Sequence, residues 1–332
     1  MIRAFRPRFP WLTGDLQTVR NTLLRPRIDL SAWPAETLEL DLGDGDRLLA
    51  RLHRPERAAA GGASGPPLVL LHGLTGCEDS VYMRASARHF LAAGYPVVRL
   101  NLRGAGPGRA LAAQHYHAGR TADLRRALTG LAAAAPEAAD GVALMGFSLG
   151  ANMLLKLLGE GGLPVPVRAA CSVSAPLDLK ATQVRMMRPR NALYHRYLLG
   201  EMKAESRADP RLLADIRSVW DFDERVVAPA NGFAGADDYY ARCAAKGFWR
   251  EIGVPTLVLA ALDDPWIPGA CYLEQPWAEN RHLTVLTPAH GGHVGFHGAG
   301  SRVPWHDRAF AAFLAETGAQ PARSFSAAST AK

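Results

Sequence analysis

The stretch Val142-Ala-Leu-Met-Gly-Phe-Ser-Leu-Gly-Ala-Asn-Met-Leu-Leu-Lys-Leu-Leu158 constrains the fold more than any other part of the chain. An apolar run of strand length ends at Gly146-Phe147-Ser148-Leu149-Gly150, and apolar residues then recur at helical spacing, at Leu149, Met153, Leu154 and Leu157. Strand, sharp turn and helix follow one another with no room for a loop. The two glycines let strand and helix pass close together while Ser148 takes a strained backbone conformation with its hydroxyl exposed. G-x-S-x-G in this context marks a serine nucleophile, and a helix opening behind it aims N–H groups at any oxyanion formed there.

Partners for such a serine occur in the right places along the chain. Leu68-Val-Leu-Leu-His-Gly-Leu-Thr-Gly76 is a buried strand running into His-Gly-x-x-Gly, a loop suited to lend a backbone N–H to an oxyanion hole. That N–H is assigned to Leu74 and the second to Leu149, while His72 is read as a structural histidine bonding loop backbone. An acid is supplied after the strand Thr256-Leu-Val-Leu-Ala-Ala-Leu262, where Asp263-Asp264-Pro265 stands at the C-terminal strand end, the position at which chemistry collects in open α/β sheets. Asp264 is the expected acid and Asp263 a solvated or loop-bonding neighbour. After one more strand, His282–Thr287, the loop Ala289-His-Gly-Gly-His293-Val-Gly-Phe296 supplies the general base, His293, with His290 as its rival. His290-x-x-His293 as half of a metal site finds no nearby Cys or Glu to complete it.

Composition sets wider limits. A chain of 332 residues, 48% hydrophobic and 21% charged, has the make-up of a soluble globule. No apolar run reaches eighteen residues, and Met-Ile-Arg-Ala-Phe-Arg-Pro-Arg at the N-terminus lacks the apolar core of a signal peptide, so a cytoplasmic location is expected. Cys77, Cys171, Cys243 and Cys271 are far apart with no C-x-x-C, and are read as buried, reduced thiols. The formal charge of +7 comes with scattered arginines and no nucleic-acid-binding motif, so no nucleic acid is expected as a partner. Only Arg3, Arg6, Arg8, Arg20, Arg25 and Arg27 cluster; they are read as a solvated basic arm with at most weak attraction to anionic lipid.

The hydrophobic pattern predicts an α/β fold with a mostly parallel sheet covered by helices on both faces. Strands are expected near 37–43 and 47–54, joined by a hairpin at Asp44-Gly45-Asp46 and followed by a flexible loop over 58–67. Strand 68–73, helix 80–93, strand 96–102, helix 119–135, strand 141–147, helix 149–159 and strand 169–174 come next. Strands 256–262 and 282–287 and a helix over 304–317 complete the pattern. Residues 1–318 form one domain in this reading, with an N-terminal arm over 1–35 and a disordered tail over 319–332. The stretch from about 176 to 253 has no strand alternation and is expected to be a helical cap over the strand ends. Of its aromatics, Tyr194, Tyr197, Trp220, Phe222, Phe233, Tyr239, Tyr240, Phe248 and Trp249, a few are expected to line an acyl pocket and the rest to be core.

Taken in order, several blocks resemble the YheT-like branch of the α/β-hydrolases, a branch whose relatives include animal esterases and phospholipid hydrolases. They are Trp11-Leu-Thr-Gly-Asp-Leu-Gln-Thr18, Leu71-His-Gly-Leu-Thr-Gly76, Asn101-Leu-Arg-Gly104, Tyr116-His117 with Asp123-Leu124, Gly146-Phe-Ser-Leu-Gly-Ala-Asn152, Ser174-Ala-Pro-Leu-Asp178, Asp263-Asp-Pro265 and His290-Gly-Gly-His-Val-Gly-Phe296. The resemblance implies an α/β-hydrolase fold and a cofactor-free, metal-free serine hydrolase acting on small or lipid-like carboxylic esters, with Ser148, Asp264 and His293 as its triad. The chain order Ser, Asp, His is that of this fold. Acyl transfer to an alcohol on the same site, and a catalytically silent binding protein, are the competing readings. Two positions depart from the pattern: Asp15 stands where the family commonly has His, and Ala151 where it has Gly.

Overall fold

The computed structural model describes residues 2–55 and 65–319. The expectation for the tail from 320 and most of that for the 58–67 loop lie outside these residues. Among those described, α1 (Gly14–Leu24) precedes a hairpin of β1 (Ala35–Asp41) and β2 (Arg47–His53). Then come β3 (Leu68–Leu71), α2 (Val81–Ala92), β4 (Val97–Leu100), α3 (Thr121–Ala134), β5 (Val142–Phe147), α4 (Leu149–Glu160) and β6 (Val167–Val173). Helices fill the interval to β7 (Thr256–Leu259): α5 (Leu179–Met186), α6 (Ala192–Glu205), α7 (Pro210–Asp215), α8 (Val219–Phe222), a π-helical turn Asp223–Val227 and α9 (Ala236–Cys243). The chain finishes with β8 (Leu283–Leu286) and α10 (Trp305–Glu316).

The eight strands form one sheet in the order β1-β2-β4-β3-β5-β6-β7-β8. β1–β2 and β2–β4 pair antiparallel, and the ladders from β4 to β8 are parallel. This is the mostly parallel α/β sheet that the hydrophobic pattern predicted, with an antiparallel hairpin at one edge. Side chains alternate across each strand, so both faces bury apolar residues. Leu68, Leu70, Met145 and Phe147 face α2 and α10, while Val69, Leu71 and Leu144 face α3, α4 and part of the inserted helices.

The expected strands run two or three residues too far at their C-terminal ends: β3, β4 and β7 stop at 71, 100 and 259 rather than 73, 102 and 262. Leu102, Ala260 and Ala261 are buried all the same. Their apolarity reflects burial beneath neighbouring segments, not ladder pairing. Helix α1 was not expected in the arm at all. Cys77 is half-buried, whereas the other three thiols are buried, a correction to the reading of all four as buried. No described helix is long and apolar enough to cross a membrane.

Candidate active site

Ser148 sits between β5 and α4 at φ 51°, ψ −120°. This left-handed conformation is costly for a residue with a side chain, and close packing holds it there. A methyl on Gly150 would stand 2.7 Å from the Leu71 carbonyl oxygen and closer still to that of His72, so only glycine lets α4 pass over β3. Ser148 N–H donates to the Val173 carbonyl on β6 at 2.9 Å, which fixes the turn from the other side.

The hydroxyl of Ser148 lies 2.9 Å from His293 Nε2, and His293 Nδ1 lies 2.8 Å from Asp264 Oδ2. Asp264 and His293 are both buried. The remaining oxygen of Asp264, Oδ1, accepts the amides of Trp266 at 2.8 Å and Ile267 at 3.0 Å. A carboxylate held by three donors is pinned in orientation and stays a good acceptor for the imidazole. The Trp266 ring stacks on His293, centroids 4.4 Å apart.

The base loop is tied to three different elements through three consecutive amides. Gly292 N donates to Asp263 Oδ1 at 2.9 Å, His293 N to Thr18 Oγ1 at 2.8 Å, and Val294 N to Ser174 Oγ at 3.1 Å. Asp263 is thus a loop-bonding residue, and it also lies 3.1 Å from Nδ1 of the exposed His290. Thr18 and its neighbour Gln17 belong to α1. Gln17 is fully buried and takes the His297 amide at 2.7 Å, so α1 is docked against the base loop and is not a solvated arm. Thr18 and Ser174 were missed as positioning residues; the only signal for them was their place in the Trp11–Thr18 and Ser174–Asp178 blocks.

Opposite the base, the loop after β3 presents Leu74. Its neighbours are occupied: Gly73 N donates to Tyr82 Oη at 3.0 Å and Thr75 N to Tyr116 Oη at 2.7 Å. Leu149 is the first residue of α4, where an N–H has no acceptor within the helix. Both residues border the same cavity as Ser148. His72 lies beneath, with Nε2 accepting the Leu102 amide at 3.0 Å and Nδ1 2.7 Å from the Gly73 carbonyl. Burial pushes its pKa down to about 4, so it stays neutral and carries loop geometry.

The cavity over Ser148 measures about 610 Å³. The inserted helices close it: Leu179 and Met186 of α5, Leu198 and Met202 of α6, Phe222 of α8 and Tyr239 of α9 stand on its wall. Of the nine aromatics noted in this segment, Phe222, Tyr239 and Tyr240 reach the cavity, whereas Trp249 is wholly buried in the core. The insertion is fastened to the acid loop by Arg185, which donates to the Asp264 and Pro265 carbonyls at 2.9 and 3.1 Å, and by Asn191, 2.9 Å from the Pro265 carbonyl. Asp15 adds a tie from α1, accepting from Tyr194 Oη at 3.0 Å and from Arg190 at 2.6 Å. His115 and His117 on the rim are pushed down to about 4 and about 3 by burial and, secondarily, by nearby cations.

Residues 66–220 match the alpha/beta hydrolase fold family. The chain is 33% identical over 298 residues to "Putative esterase YheT" of Escherichia coli (strain K12), covering 85% of this chain and 84% of that protein. Phospholipase ABHD3 of Mus musculus is 29% identical over 70% of this chain and 58% of its own length. Among solved structures, an esterase of Pyrococcus furiosus, Pf2001, superposes with a TM-score of 0.61 at 17% identity over 88% of this chain and 96% of that one, a likeness of fold. The class so defined is that of the α/β-hydrolases. Within it, the chain belongs to the YheT-like family.

Proposed function

We propose that the chain is a serine esterase working through an acyl-enzyme, with Ser148, His293 and Asp264 as its triad. The observation that carries this reading is the unbroken hydrogen-bonded line from the Ser148 hydroxyl through the imidazole to the Asp264 carboxylate. His293 Nε2 takes the hydroxyl proton as Oγ bonds to the ester carbonyl carbon, and Asp264 holds the Nδ1–H tautomer and stabilises the imidazolium. The amides of Leu74 and Leu149 receive the oxyanion, each worth about 3 kcal/mol of transition-state stabilisation. The carbon–oxygen bond to the alcohol then breaks, and His293 returns its proton to the departing alkoxide. Water, deprotonated by the same imidazole, releases the acid and restores Ser148. The apolar wall of the cap favours an ester whose acyl or alkyl part is itself apolar.

Acyl transfer to a small alcohol is the second reading, favoured by a Saccharomyces cerevisiae relative named medium-chain fatty acid ethyl ester synthase/esterase 2, 27% identical over 58% of its length. One experiment addresses both: p-nitrophenyl esters of increasing chain length, with and without ethanol, together with labelling by a fluorophosphonate probe. Turnover and labelling should both vanish in Ser148→Ala. Labelling that survives this change would refute the assignment, and ethyl ester as the main product would establish transfer.

A further inference from the structure

The catalytic scheme leaves the arginines of the N-terminal region without a role. A second cavity, of about 820 Å³, opens between α1 with the segment before it, helix α2, and residues 294–306. Its wall carries Arg8, Arg20, Arg27, Arg88 and Arg302 and neither aspartate nor glutamate. Among the described residues none of these five guanidiniums stands in an ion pair. Arg8 donates to the Ser301 carbonyl at 3.4 Å, and Arg20 donates to Asn21 Oδ1 at 3.0 Å and lies over the Trp11 ring.

Buried nitrogens on the same wall point the same way. His89, His297 and His306 line the cavity, the last two only 5% and 0% exposed. Nε2 of each, and Nε of Arg20, are buried with no hydrogen-bond partner among the described residues. Native interiors rarely leave polar atoms unpaired, and four such nitrogens belong to residues that line this one cleft. Burial, with Arg20, His306 and Arg8 behind it, pushes His297 down to about 3; burial and Arg8 lower Arg20 as well.

We propose that this cleft binds a phosphate ester, its phosphate held by guanidiniums from α1, α2 and the 294–306 segment, and its organic part laid against Trp11, Trp33 and Ile28. A phosphate presents several acceptor oxygens and matches forked guanidinium donors arriving from different directions. The volume exceeds what inorganic phosphate needs, and the aromatic and aliphatic part of the wall suits an attached carbon skeleton. Phe9 and Leu24 on the rim are 81% and 53% exposed, so a ligand could enter from solution or stay attached to a lipid surface. The cleft is separate from the proposed nucleophile's cavity, although Tyr82, which lines it, also holds the Gly73 amide beside Leu74.

The test is direct binding to the full chain carrying Ser148→Ala, so that its outcome is independent of the proposed chemistry. Glycerol 3-phosphate, with glycerol as the neutral control, is titrated by calorimetry at low and high salt. Sedimentation with phosphatidylcholine vesicles, with and without phosphatidylglycerol, supplies the lipid arm. The probe variant is Arg88→Gln with Arg302→Gln; both side chains are exposed and unpaired, so folding does not depend on them. Glycerol 3-phosphate should bind, more weakly at high salt, and the double variant should weaken it by about tenfold or more. Vesicle binding that needs phosphatidylglycerol and is lost in the variant assigns a lipid headgroup; glycerol 3-phosphate binding without sedimentation assigns a soluble ester. Failure of both probes to bind, or binding that the variant leaves unchanged, overturns the proposal.

Discussion

At the scale of single residues, adjacent side chains of one type are separated by what they touch. Asp264 and Asp263 are neighbours, yet the first reaches Nδ1 of the imidazole that meets Ser148, while the second takes the Gly292 amide and His290. Asp264→Asn should lower kcat by roughly 10⁴ by favouring the wrong imidazole tautomer, with KM little changed. Asp263→Asn keeps an oxygen for Gly292 and should lower kcat far less; steady-state kinetics on one p-nitrophenyl ester rank the two, and the reverse order would move the acid to Asp263. Ser148, Asp264 and His293, the proposed nucleophile, acid and base, could be picked out in the sequence because each stands at a strand end within a local pattern. Thr18 and Ser174 could not, since their role is to accept amides of a loop more than a hundred residues away, and nothing local in a threonine or serine announces that.

At the scale of elements, hydrophobic periodicity located every strand of the sheet but misjudged where ladders end, because residues such as Leu102 are apolar for burial beneath loops. Helix α1 escaped notice because its buried side is made by Gly14 and Gln17 and not by an apolar stripe. The crossing of α4 over β3 is a different case, since the glycine that permits it is in the motif. Gly150→Ala should destabilise the chain by about 3 kcal/mol in urea unfolding, the upper range for overpacking, and slow fluorophosphonate labelling by displacing Ser148. In the cap, the π-helical turn carries Asp223, whose carboxyl accepts from Tyr240 Oη at 2.6 Å. Burial raises its pKa to about 7, partly offset by that bond. A raised carboxyl binds its proton more tightly folded than unfolded, so its contribution to stability is greatest below the unfolded value, near 4, and falls as pH rises toward about 7. Glu205, raised to about 6 by burial, acts in the same direction and persists when Asp223 is changed. Asp223→Asn should therefore gain thermal stability relative to wild type as pH increases from about 4 to about 7, read from paired melting curves; a constant offset between the curves would show that the carboxyl does not titrate in this window.

At the scale of the whole molecule, the sheet delivers the proposed chemistry and the insertion between β6 and β7 delivers the walls around it. The two are fastened at the acid loop through Arg185 and Asn191 and at α1 through Asp15, which accepts from Arg190 and Tyr194. Sequence could announce a helical insertion but not its inner surface, because which aromatics face the cavity depends on how short helices stack. Phe222, Leu198 and Met202 contribute apolar surface to the cavity wall and form none of the hydrogen bonds that hold the proposed triad. Truncating a buried apolar side chain removes roughly 1.5–3 kcal/mol of transfer free energy, part of which a bound acyl chain would otherwise recover. Phe222→Ala and Leu198→Ala should accordingly raise KM for longer p-nitrophenyl esters by about tenfold while leaving acetate turnover and fluorophosphonate labelling near wild type. A uniform fall in kcat across the ester series would show instead that these helices hold the catalytic loops and do not select the chain.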